Sequence, residues 1–118
     1  MYEKYDLKNN IEKIKSQIVR EIPRIFDSDC RKIILYGSCA RGDYTNDSDV
    51  DVAILTESNR MESKRYNRQI DDMAASIGLD TMAVVNCICL PYAEFEEKKS
   101  WYPYFMSIVR DGVVLYER

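Results

Sequence analysis

Residues 35 to 55 read LYGSCARGDYTNDSDVDVAIL, an apolar run that breaks into glycine and serine, passes through four aspartates and ends in a second apolar run. The Ile-rich stretch Lys32 to Tyr36 fits a buried strand, and so does Val50 to Leu55 on the far side of the loop. Successive side chains of a strand point to opposite faces, so Asp49 and Asp51 share one face, about 7 Å apart along the backbone. Two carboxylates so placed repel unless something positive sits between them.

The surrounding sequence offers nothing positive. Between Arg41 and Arg60 stand five acids (Asp43, Asp47, Asp49, Asp51 and Glu57) and no Lys or Arg. Magnesium is an economical remedy, because it takes carboxylate oxygens and completes its shell with water and substrate phosphates. The other end of the loop fits a phosphate. Gly37-Ser38 directly follows a strand, where glycine permits close backbone approach and a following helical turn would aim free N–H groups at an anion. Ser38 adds a hydroxyl, and Arg41 a planar cation that could contact phosphate or pair with Asp43 or Asp47. Two same-face carboxylates beside such a turn could hold one or two metal ions that bridge to a triphosphate.

The remainder of the chain supplies supporting elements. Leu7, Ile11, Ile14 and Ile18 recur at steps of four, three and four, which predicts an amphipathic helix ending near Ile22-Pro23. Tyr66, Ile70, Met73 and Ile77 repeat that spacing, so residues 61 to 77 read as a second long helix closed by Gly78. A third strand is expected over Thr81 to Leu90, a polar helical turn over YAEFEEKK, a helix over Tyr104 to Arg110, a turn at Asp111-Gly112 and a small final strand in VVLY. Asp71 and Asp72 are expected to face solvent; Trp101, Tyr102 and Tyr104 could form a base-stacking platform, but beside Pro103 they are expected to pack or to meet a partner. This alternation predicts one α/β layer pair with the glycine-aspartate loop at an edge of the sheet.

Composition removes several classes of function. At 118 residues and 46% hydrophobic, the chain fits one compact domain, residues 1–118, without room for a second substrate domain. A net charge of −3 is a poor electrostatic footprint for nucleic acid. No stretch approaches the roughly twenty apolar residues of a membrane span, and the opening MYEKYDLKNN has no apolar export signal, so a cytoplasmic location is expected. Cys30, Cys39, Cys87 and Cys89 are too few for a disulfide framework; Cys87-x-Cys89, with no histidine in the chain, is poor zinc spacing, and packing residues are the reading preferred.

Gly37-Ser38, Ala40-Arg41-Gly42-Asp43, Ser48-Asp49, Val50 and Asp51 together resemble the signature of the DNA polymerase β-type nucleotidyltransferase superfamily. More narrowly, the chain is similar over its whole length to the minimal nucleotidyltransferase domains of prokaryotes, which are often paired with a helical toxin-like partner. The resemblance implies the nucleotidyltransferase fold, a small mixed sheet of three to four strands packed against helices. It implies that Asp49 and Asp51 hold magnesium and that Gly37 and Ser38, with Arg41 and Ser48 beside them, bind the nucleotide. A third acidic ligand on a later strand belongs to that pattern, and Asp80, expected at the entrance of the third strand, is the candidate. The implied activity is transfer of a nucleoside monophosphate, AMP from ATP, to an acceptor hydroxyl, with a toxin-like partner protein as the favoured acceptor. A non-catalytic nucleotide-binding antitoxin and a homodimeric small-molecule nucleotidyltransferase are the alternatives.

Overall fold

The computed structural model describes residues 6–118; Met1–Tyr5, the first half of the opening read above for an export signal, lies outside the described residues. The long helix α1 (Leu7–Phe26) is capped by the Asp6 carboxylate, which accepts from the Lys8 backbone N–H at 3.1 Å. Its buried stripe is Leu7, Ile11, Ile14, Ile18, Ile22 and Phe26, so the helix outruns the end expected at Pro23 by a turn. Pro23 lacks only an N–H, whereas Phe26 gains a stacked contact with Tyr66 at 4.0 Å between ring centroids, and that packing carries the helix past the proline.

Strand β1 (Cys30–Tyr36) follows, then the single-turn helix α2 (Ser38–Arg41) and strand β2 (Val50–Thr56). The helix expected over 61–77 is divided into α3 (Arg60–Ser63), a 3-10 turn (Lys64–Tyr66) and α4 (Asn67–Thr81). Gly78 does not close α4. Met82 does, in the left-handed region at φ 63°, with its N–H donating to Gly78 O at 2.7 Å. Thr81 is drawn into the helix because its hydroxyl donates to Ile77 O and accepts from the Ala83 N–H. Strand β3 (Val85–Pro91) therefore starts four residues later than expected. Helices α5 (Tyr92–Lys98) and α6 (Pro103–Asp111) and strand β4 (Val113–Glu117) complete the order.

The sheet runs β3-β2-β1-β4, with β1 antiparallel to both β2 and β4 and β2 parallel to β3, so it is mixed, as expected. Its two faces bury different partners. Val50, Val52, Ile54, Ile33 and Leu35 pack on α1 and α4, whereas Ile34, Ala53, Leu55 and Leu90 pack on Phe95 of α5 and on Phe105 and Ile108 of α6. At roughly 1.5–3 kcal/mol per fully buried aliphatic side chain, these layers hold β1 and β2 rigidly where the loop between them begins and ends. Among the described residues no helix is long and apolar enough to cross a membrane.

Candidate active site

The loop starts on a residue that only glycine occupies without strain. Gly37 has φ +76° and ψ −158°, and a β-carbon built on it would stand 2.7 Å from Asp51 Oδ2. Strand register explains the approach, since Tyr36 is paired with Asp51 across β1 and β2. The turn closes as Ala40 and Arg41 donate to Gly37 O at 3.1 Å, and Gly42, at φ +89°, ends it by donating to Ser38 O. Ser38 opens this turn and is half-buried.

The middle of the loop is braced by its own side chains. Arg41 Nε donates to Asp43 Oδ2 and Nη1 to Asp111 Oδ2, both at 3.1 Å, so this guanidinium ties the loop to the end of α6. Of the two roles considered for Arg41, the structure occupies it with carboxylates. Ser48 is likewise engaged locally: its hydroxyl accepts from the Thr45 N–H at 2.9 Å, and its N–H donates to Thr45 O. Asn46 accepts from the Leu7 N–H at 2.9 Å, fastening the loop to the start of α1.

Asp49 and Asp51 emerge from this braced loop with no cation in an ion pair with either among the described residues, whereas Asp43 has Arg41 and Glu57 has Arg31 and Arg118. Burial, reinforced by the neighbouring Asp49 charge, holds the Asp51 carboxyl above its ordinary value, and the Asn86 amide opposes the shift. Asp49 is exposed and Asp51 half-buried. Among the described residues the negative charge expected to lie uncompensated does so at these two residues, and Asp47 of the loop likewise has no ion pair.

Asp80 does not join them. It stands in the last turn of α4, where Lys13 Nζ approaches its Oδ2 at 3.0 Å and Gln17 donates to the same oxygen at 3.2 Å. Those bonds to α1 hold its carboxyl below its ordinary value. Helix α4 packs on the sheet face of Val50 and Val52, while Asp51, between them in the strand, faces the α5–α6 side. The assumption that placed Asp80 at the entrance of β3 fails because Thr81 extends the helix. The group that β3 brings to the carboxylates is Asn86, in register with Asp51 and donating from Nδ2 to Asp49 Oδ2 at 2.8 Å. The sequence signal for it is a lone polar residue in the apolar run VVNCICL, an unfavourable strand residue that needs a reason. Among the described residues no three His, Cys, Asp or Glu side chains gather to hold a metal.

Two aromatic residues border the pair. The Tyr36 and Tyr104 hydroxyls are 2.9 Å apart, and burial with that bond and the Asp51 charge keeps the Tyr36 phenol protonated. Beyond them a cleft of about 420 Å³ is lined by Ile88, Leu90, Tyr102, Tyr104, Phe105 and Arg60. The cysteines are free, and burial raises their thiols, Cys87 to about 12 and Cys89 to about 11, which favours packing over thiolate chemistry.

A glycine-serine turn set against two uncompensated carboxylates at one end of a mixed sheet is the arrangement of a nucleotidyltransferase. The chain belongs to the nucleotidyltransferase domain family, whose profile matches residues 6–115. It is 31% identical over 107 residues to a Methanocaldococcus jannaschii protein named "Putative protein adenylyltransferase", covering 91% of this chain and 99% of that one. The fold is that of a Sulfolobus solfataricus crystal structure described as a "putative nucleotidyltransferase" (TM-score 0.60, 18% identity, 100% of this chain and 93% of the other). It is also that of a chain in a toxin-antitoxin crystal structure with AMP-PNP (TM-score 0.54, 19% identity, 92% and 74%).

Proposed function

We propose that this nucleotidyltransferase moves AMP from ATP to a hydroxyl of a partner protein, as an antitoxin acting on a helical toxin. The observation that carries the reading is the Asp49–Asp51 pair, in an ion pair with no cation among the described residues and set against the Gly37–Ser38 turn. The name of the M. jannaschii relative supports a protein as acceptor, and the toxin-antitoxin assembly with AMP-PNP supports both the triphosphate and the partner. A net charge of −3 favours a protein over a nucleic acid as acceptor. A cytoplasmic location, where ATP is at hand, fits this reading, with the acceptor side of the site completed by the partner.

The carboxylates fit magnesium: two hard oxygen ligands, one of them raised by burial and like charge, gain from a divalent cation what no side chain provides. Bound there, the ion would neutralise phosphate charge and make the α-phosphorus easier to attack. The protein's own groups do the rest. Gly37, lacking a side chain, lets the phosphates approach the backbone, and the Ser38 hydroxyl donates to a phosphate oxygen. Arg41 holds the loop in place through Asp43 and Asp111. The acceptor oxygen bonds to the α-phosphorus as its bond to the pyrophosphate oxygen breaks, and the acceptor proton leaves to solvent at the exposed Asp49–Asn86 edge. Incubation with ATP, magnesium and the product of the neighbouring gene, followed by mass spectrometry of both proteins, tests the reading; an increment of one AMP on the partner is expected.

A further inference from the structure

Asn86 is the third polar group at the start of the parallel β2–β3 pair, and its chemistry differs from that of the other two. Its strand register places it opposite Asp51, and its amide reaches Asp49 Oδ2 at 2.8 Å. A carboxylate only accepts hydrogen bonds, so the NH₂ group faces Asp49, and the side chain has only its neutral amide oxygen left for a cation. The edge thus carries two negative charges, and one oxygen of Asp49 is already engaged. No other described acid joins the pair, because Asp80 is bonded to α1 across the sheet.

Two divalent cations in one site lie roughly 3.5–4 Å apart and repel strongly, so anionic oxygens shared between them must offset that repulsion. An amide donating into the pair works against this. It withdraws an oxygen and adds no charge.

We propose that Asn86 makes Asp49 and Asp51 a site for a single divalent cation per bound triphosphate. This rests on the reading of the two aspartates as cation ligands. Asn86 acts as a positioning residue: it orients Asp49 through the 2.8 Å bond and sets the cation count through its lack of charge.

The test counts ions without any turnover. The full chain is titrated with manganese and an ATP analogue carrying a methylene bridge between its α and β phosphorus atoms, and free manganese is read by electron paramagnetic resonance. The wild type is expected to hold one ion per chain and Asn86→Asp two. In thermal melts at saturating analogue, the midpoint of Asn86→Asp should then rise more steeply with manganese than that of the wild type. Should Asn86→Asp not fold even with manganese, Asn86→Glu, whose longer side chain sets the third charge farther from the pair, gives the same count. Two ions in the wild type, or one in a folded acidic variant, overturn the proposal. No ion in the wild type sinks the cation-site reading itself, which separates the two failures.

Discussion

The β-carbon that Gly37 lacks would fall 2.7 Å from Asp51 Oδ2, so a carboxylate of β2 occupies the space that a side chain on the loop's first residue would need. Gly37→Ala is therefore penalised twice, by the left-handed φ of +76° and by the clash. We expect a loss of about 1–3 kcal/mol in stability from the strained backbone and at least a tenfold weaker binding of ATP by calorimetry. Gly42→Ala is the control: φ is +89°, but the space around a β-carbon is open, so stability falls while ATP affinity is kept. Equal ATP binding by wild type and Gly37→Ala would detach the turn from the phosphates.

Asp51 makes a prediction about pH. Its carboxyl is held above its ordinary value of 3.8 in the folded chain, so its charged form costs the fold stability once pH rises through the folded value, and the cost vanishes below the ordinary one. Asp51→Asn should melt above the wild type at neutral pH and with it near pH 3. Thermal melts across pH 3–8 check this; a wild type that melts higher at pH 7 without metal contradicts it.

Asp80 should behave in the opposite way. Its folded carboxyl is held below the ordinary value, first by the bond from Lys13 and then by that from Gln17, so its contribution is present at neutral pH and lost as pH falls through the folded value. Asp80→Asn should lower the melting temperature slightly at pH 7, converge with the wild type in acid and leave nucleotide transfer unchanged. A loss of transfer of tenfold or more would return Asp80 to the site.

How far the sequence leads is clear from these three positions. Gly37, Asp49 and Asp51 are legible because strand alternation and the glycine-rich turn are local properties. The third acidic position, sought at Asp80, is not local. Its identity depends on where α4 stops, and the bonds of Thr81 to Ile77 and Ala83 carry the helix beyond Gly78, moving Asp80 to one face and starting β3 at Val85. The pairing of Arg41 with Asp111 was hidden in the same way, because seventy residues separate the partners. Pro23 misleads for a different reason, since the stacking of Phe26 on Tyr66 outweighs one missing backbone donor.

Magnesium and a triphosphate should stabilise the chain jointly. If Asp49 and Asp51 share a cation with the phosphates, each ligand completes the other's site, and the melting temperature rises by more with both than the sum of the separate shifts; a site filled at a hundred times its Kd contributes about 2.7 kcal/mol. Strictly additive shifts in differential scanning fluorimetry would count against a shared site.

The most direct measurement is transfer itself, made with the wild type and with Asp49→Asn/Asp51→Asn. The double substitution keeps side-chain size and removes two charges that no described side chain balances, so the fold should persist and contact with the partner should survive. With ATP, magnesium and the proposed partner protein, sought in the product of the neighbouring gene, intact-protein mass spectrometry should show the partner heavier by one or more AMP units with the wild type. Transfer by the double variant should be slower by several orders of magnitude. An unmodified partner with the wild type, or equal modification by both proteins, would contradict the account.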